Sequence, residues 1–185
     1  MLLNEKKQVV IITPMKVGST TIHNMFQDKP GWIFAMGPHP WRMEKIDKHT
    51  HCFPYWVNIN RHKMNVLLLI RNPIDRVASF YHHWLMYENH SETISDWMKE
   101  QFIPCFNRKK KLHYFSDCTT LYPDHNHVIR IEKLKSDLLK HGIEWEGNVP
   151  MANRWPTRTE LKEEHKDFVR QVHHSDFVAG EYDAN

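Results

Sequence analysis

Lys16, Ser19, Thr20 and Thr21 crowd around Gly18 in the stretch "TPMKVGSTTIHNMF", residues 13–26. The "VVII" before it is apolar throughout and predicts a buried strand, while "STTIHNMF" predicts a helix whose first turn carries hydroxyls and N–H groups. A strand, a loop and a helix start in that order make an anion site, because the helix N-terminus offers donors and positive potential. Gly18 permits close backbone approach, and Lys16 supplies a mobile point charge. The loop is not a Walker A motif, in which the lysine follows the second glycine; here Lys16 precedes Gly18. An ATPase or kinase of that type is therefore disfavoured.

A second segment, "LLLIRNPIDRVASFYHH", residues 67–83, places Arg71 at the end of an apolar strand and Ser79 about two turns into the next helix. Two anion sites, one per strand end, suggest a ligand with two separated phosphates. The plainer alternative is that Arg71, Asp75 and Arg76 form a salt-bridged helix start.

These segments need a scaffold, and the hydrophobic pattern describes one. Strands are expected over 8–13, 65–70 and 127–131, the middle one apolar on both faces as in a covered parallel sheet. Helices are expected over 19–27, from Ile74 to about Glu88, and over "SETISDWMKEQF" with Ser91, Thr93 or Ser95 as N-cap. "EKLKSDLLKHG" should form a helix closed by Gly142, and "TELKEEHKDFVRQVHH" a last one capped by Thr159. Residues 32–63 lack a sustained period and are assigned mainly to loops. Alternating strands and helices imply a single α/β domain over 1–185, a three-layer sandwich with a mainly parallel central sheet. Ligands of such sheets sit beyond the carboxyl ends of the strands, where both segments fall.

Composition excludes several classes. With 41% apolar and 25% charged residues and a mean hydropathy of -0.64, the chain reads as globular. "VLLLI" is too short to span a bilayer, and "MLLNEKKQ" turns polar too soon for a signal peptide. Three widely spaced cysteines, Cys52, Cys105 and Cys118, argue for a reducing compartment. The expectation is a soluble, cytoplasmic or otherwise intracellular protein without a membrane partner. A formal charge of +3, with the basic run Arg108 to Lys111 read as a solvated loop, gives no nucleic-acid surface.

Taken together, the two segments resemble the PAPS-dependent sulfotransferases. That family pairs a 5'-phosphosulfate loop (Pro, Lys, any residue, Gly, two hydroxyl residues) with a later 3'-phosphate segment. The latter reads Arg, Asp or Asn, Pro, any, Asp or Glu, Arg, then Ser and Tyr at fixed offsets. "RNPIDRVASFY" matches every defined position of the second; in "PMKVGSTT" the extra Met15 separates Pro14 from Lys16. The pattern is closest to carbohydrate sulfotransferases of the heparan sulfate 2-O type. "HTH" (His49 to His51) stands upstream of Arg71, and "VIRIEKLKSDL" and "VHHSDFVAGEYD" resemble later parts of that group.

The resemblance implies a P-loop-like sulfotransferase fold and transfer of a sulfonate from PAPS to a hydroxyl or amine, with PAP released. In it Lys16 faces the bridging oxygen of the leaving phosphate. Val17, Gly18, Ser19, Thr20 and Thr21 hold the phosphosulfate, and Arg71 and Ser79 hold the 3'-phosphate. Histidine suits the base because its pKa lies near neutrality; His51 is chosen by position, then His49, with His39 and Glu44 as alternatives. Arg154 and Arg158 are placed over the nucleotide. The acceptor is read as a glycan or a small hydroxyl compound, and the oligomeric state is left open.

No metal is required by this scheme. Fifteen histidines raise the question, yet the pairs at 82–83, 125 and 127, and 173–174 lack the i, i+4 spacing of a helical zinc site. The competing reading is a non-catalytic nucleotide-binding or phosphoryl-transfer protein on the same fold. Ligand preference separates the two, since a 3'-phosphate reader favours PAP and PAPS over ATP.

Overall fold

A computed structural model describes residues 1–34, 38–39, 42–46, 63–88, 91–107, 115–149 and 159–183. The chain forms two compact units, Met1–Ile70 with Asp124–Ala152, and Arg71–Pro123 with Asn153–Asn185.

The first unit is built on a mixed sheet of β1 (Leu2–Asn4), β2 (Val9–Ile12), β3 (Ile33–Phe34), β6 (Asn65–Ile70) and β7 (His127–Arg130), in the order β3-β1-β2-β6-β7. β2, β6 and β7 are parallel neighbours, with Ile12 opposite Leu68 and Ile70 opposite Arg130. β1 runs antiparallel to both β2 and β3, so four of the five strands point one way. That is the mainly parallel α/β sheet expected. Val66 through Ile70 are completely buried, and each such side chain contributes about 1.5–3 kcal/mol of burial. Asn126 extends the β6–β7 pairing: its Oδ1 accepts from Val66 N at 2.7 Å and its N–H donates to the Val66 carbonyl at 2.8 Å.

β1 was not expected from the sequence. Three residues are too few to show a period, and the strand exists because the turn at 5–8 folds it back on β2. Lys7 N donates to Asn4 Oδ1 at 3.0 Å, and Gln8 N donates to the Glu5 carbonyl at 3.1 Å. Between β3 and β6, β4 (Pro38–His39) and β5 (Arg42–Ile46) form an antiparallel ribbon of their own.

The helices of this unit are α1 (Ser19–Phe26) and α6 (Leu134–Leu139), the latter entered through a 3-10 turn at Ile131–Lys133. Gly142 closes α6 from the turn that follows it, as expected. Gly142 takes φ +69, its N–H bonds the Leu139 carbonyl, and Ile143 N bonds the Leu138 carbonyl. That pair of bonds is a Schellman cap, and buried Ile143 and Leu138 supply its apolar contact.

Arg130, the last residue of β7, grips Asp137 of α6 through Nε at 2.9 Å and Nη2 at 3.1 Å, with its backbone N–H at 3.0 Å. Burial works to raise the Asp137 pKa, but the Arg130 bonds outweigh it and hold the group at about 2. A depressed carboxylate stabilises the fold above its unfolded pKa near 3.9 and stops doing so as pH falls through about 2. Replacing Asp137 by Asn is expected to cost roughly 2 kcal/mol at pH 7 and little at pH 2, measured by denaturant unfolding at both. An equal cost at both values would contradict it.

The second unit is helical. α2 (Pro73–Glu88) is followed by α3 (Ile94–Trp97), a π-helical turn (Met98–Phe102) and α4 (Ile103–Asn107), then α5 (Cys118–Leu121), α7 (Glu163–Val172) and α8 (His174–Ala179). Thr93 is the N-cap of α3, its hydroxyl accepting from Asp96 N at 3.2 Å. The π turn precedes Pro104, which lacks the N–H an α-helical bond to residue 100 would use. Trp97 and Phe102, both buried, pack with Phe80, Tyr81, Phe106 and Phe115 into an aromatic core.

The last helix departs from expectation. Residues 159–162 are not helical, and α7 starts at Glu163 with Lys162 at its N-cap. Thr159 is not the cap because its hydroxyl is spent on His82 Nε2, at 2.9 Å, beside the helix α2 that packs on α7.

α5 and α8 exchange caps. Asp176 Oδ2 accepts from Cys118 N at 2.8 Å, and Asp176 Oδ1 accepts from the N–H and hydroxyl of Thr119 at 2.9 and 3.0 Å. Asp117 returns the favour to Asp176 N at 2.9 Å and Ser175 N at 3.2 Å. Arg76 of α2 is buried among them, 3.8 Å from Asp176, donating to the Ser116 carbonyl at 2.9 Å and lying over the Phe80 ring. Burial and the Asp176 charge push Asp117 up to about 7. For Asp176, burial is outweighed by hydrogen bonding to Asp117 and by the Arg76 charge, which hold it below the usual range.

Candidate functional site

The Lys16 loop joins the carboxyl end of β2 to α1. β2 and β6 are parallel neighbours, so the loop leaves the same sheet edge at which β6 ends in Ile70. Two left-handed residues shape the loop: Lys16 at φ +63 and Gly18 at φ +105. Gly18 is the N-cap of α1 at ψ 27, and its carbonyl accepts the first helical bond, from Ile22 N at 3.1 Å. The N–H groups of a helix's first turn have no acceptor within the helix, so α1 directs donors and the positive end of its dipole toward the loop. Ser19 and Thr21 are buried, Thr20 and Lys16 half-buried, and Val17 is fully packed. A lysine in the left-handed region costs about 1–2 kcal/mol relative to the right-handed one.

Ile131, in the turn after β7, closes the other side of Gly18. A Cβ on Gly18 would stand 2.7 Å from Ile131 Cδ1 and 2.9 Å from Ile131 Cγ1. Glycine is thus required twice, by its dihedral angle and by its neighbour. Ile131 was missed from the sequence because nothing local distinguishes it from another strand-end aliphatic; only the contact reveals it. Gly18→Ala is expected to lower stability by about 1–3 kcal/mol. Adding Ile131→Ala should recover part of that loss but not all, since the strained φ persists. Full recovery in thermal melts would show that sterics alone were at work.

In the second unit the "RNP" triplet has a clear local logic. Asn72 caps α2: its Oδ1 accepts from Ile74 N at 3.0 Å and its carbonyl from Arg76 N at 2.9 Å. Pro73 takes the first helical position, where a missing N–H costs nothing. Arg71 is half-buried just ahead of the cap, and Ser79 is half-buried about two turns along α2 from Asn72. Arg76, by contrast, is withdrawn into the core, where its ion pair is with Asp176 of α8.

Of the expected bases, His39 lies on β4 and Glu44 on β5. His49 and His51 fall outside the described residues, as do Arg154, Arg158, Cys52 and the basic run at 108–111. Trp97 is buried in the core, while Trp145 packs against Phe26 with the rings tilted and their centroids 5.7 Å apart, and Lys29 Nζ lies over the Trp145 ring at 5.0 Å. Among the described residues no helix is long and apolar enough to cross a membrane.

Comparison with known proteins adds one finding. The model of the family described as "Sulfotransferase domain" matches residues 38–141, more than half of the 185-residue chain. The matched stretch contains Arg71 and Ser79 and begins after the Lys16 loop. No curated protein and no solved structure matches the chain. A mainly parallel α/β sheet with a glycine-hinged loop at its edge, joined to this match, gives the conclusion: the chain belongs to the sulfotransferase domain family and is a PAPS-dependent sulfotransferase.

Proposed function

We propose that Lys16 and residues 17–21 hold the 5'-phosphosulfate of PAPS, that Arg71 and Ser79 hold its 3'-phosphate, and that the two units act as one sulfotransferase domain. The observation that carries this reading is the Lys16 loop itself, with two left-handed residues feeding a helix N-terminus at the sheet edge. Backbone strain of this kind clusters at active sites and ligand clamps, which supports the reading.

In the reaction an acceptor oxygen forms a bond to sulfur while the bond from sulfur to the bridging phosphate oxygen breaks. The acceptor proton passes to a base, and PAP leaves with the added negative charge. Lys16 answers that charge, a contribution greater in the transition state than in the ground state. His51 is the base in this reading, with His49, His39 and Glu44 as the alternatives to test by substitution.

The acceptor in this reading is a carbohydrate hydroxyl. The "HTH" segment upstream of Arg71 and the similarity of residues 128–138 and 172–183 to heparan sulfate 2-O-type enzymes support it. Incubation of the protein with sulfur-labelled PAPS and a panel of glycans, small alcohols, phenols and amines tests it. Label on a glycan, with an equal amount of PAP, is the expected result; label only on phenols or amines would overturn the carbohydrate assignment.

A further inference from the structure

The second unit holds a polar cluster that sulfonate transfer does not use. Asp117, His173 and Asp176 each offer one ligand atom, and the three atoms lie within 4.8 Å of one another. All three residues are buried. Their meeting follows from the exchanged caps of α5 and α8, which lock both carboxylates: Asp176 by Cys118 and Thr119, Asp117 by Ser175 and Asp176.

His173 is the independent observation. It is 1% exposed, yet neither Nδ1 nor Nε2 has a hydrogen-bond partner. Its ring stacks with Phe102 at 6.4 Å and meets Phe106 edge-on at 6.0 Å, so the aromatic core offers it no acceptor or donor. Native proteins seldom leave a buried imidazole in that condition, because both nitrogens lose their water for nothing.

We propose that Asp117, His173 and Asp176 form a buried structural site for a divalent transition-metal ion of the zinc class. One imidazole nitrogen and two carboxylate oxygens are ligands such an ion accepts, at about 2.0–2.2 Å. Atoms already within 4.8 Å of one another need only a small inward movement to reach that sphere. Lone pairs remain for the purpose. Asp176 Oδ1 is filled by two bonds from Thr119, leaving Oδ2; Asp117 hydrogen-bonds the Asp176 carboxylate, and that shared proton would be released to make room for the ion. The backbone N–H groups on the carboxylates act as the outer shell that fixes ligand direction. Calcium and magnesium fit poorly, since they take six or more oxygen ligands. The ion would tie the start of α5 to the start of α8. Sequence spacing could not reveal it, because His173 pairs with distant Asp117 and not with neighbouring His174.

The test uses the untagged full chain. Zinc is counted after exhaustive EDTA treatment, equimolar Zn2+ addition and desalting, for wild type and His173→Leu, with far-UV circular dichroism as the check on folding. Wild type should retain about one zinc per chain and melt several degrees higher than its EDTA-treated form. His173→Leu, which fills the site without a donor, should be folded, retain under a tenth of that zinc and melt at one temperature with or without EDTA. X-ray absorption on the zinc-loaded wild type, which needs no variant, should show a nitrogen and oxygen shell with imidazole scattering. The proposal is overturned if folded wild type retains no zinc, as when Asp117 and Asp176 merely share a proton. Equal retention by His173→Leu, or a sulfur ligand in the absorption spectrum, would overturn it too.

Discussion

Lys16→Ala is expected to lower turnover by about 100- to 1,000-fold, the range for removing one group that meets developing charge. The rate constant and its ratio to the Michaelis constant should fall together, because the missing interaction is made in the transition state. The fold should be intact, and a companion variant separates the two effects. Lys16 occupies φ +63, so Lys16→Gly relieves left-handed strain while removing the same cation. Glycine at this position should leave the melting temperature unchanged or raised, and the enzyme as inactive as with alanine. An active Lys16→Gly enzyme would assign the lysine to loop shape and not to charge.

The second large effect is on stability. Asp176→Ala removes the acceptor for three donors, from Cys118 and Thr119, and breaks the ion pair with the fully buried Arg76 from one side. Breaking a buried ion pair from one side costs about 3–5 kcal/mol, because the surviving charge cannot regain water. Denaturant unfolding should show a loss of that size, with Asp176→Asn intermediate since its carbonyl oxygen still accepts from one of the helix N–H groups. A loss below about 1 kcal/mol would mean that Arg76 and the α5 start are held by something else.

The contrast between these two residues shows what a sequence carries. The strand, loop and helix start around Lys16 and Gly18 were legible because such a unit is local: a strand, a few special residues and a helix start appear in order within one short stretch. β6 and α2 announced themselves by unbroken apolarity and by a period of three to four, while the cap that Asn72 makes was not read from the sequence. Asp176 was not legible as a cap, since it serves a helix 57 and 58 residues away. Thr159 gave a false local signal, because a hydroxyl before a helical run looks like an N-cap wherever the hydroxyl bonds. Its true partner, His82, lies 77 residues distant. Ile131 and β1 were hidden for a related reason, one being an ordinary aliphatic and the other a three-residue strand given meaning only by its neighbours.

The central claim is that this enzyme recognises a nucleotide by its 3'-phosphate, and thermal shift with PAP, ADP and ATP plus magnesium tests it without knowledge of the acceptor. PAP should raise the melting temperature by several degrees, as a ligand well above its dissociation constant does, while ADP and ATP have little effect. Arg71→Ala should abolish the PAP shift and leave the ligand-free melting temperature nearly as it was. Equal stabilisation by ATP with magnesium, or an undiminished PAP shift in Arg71→Ala, would contradict the account.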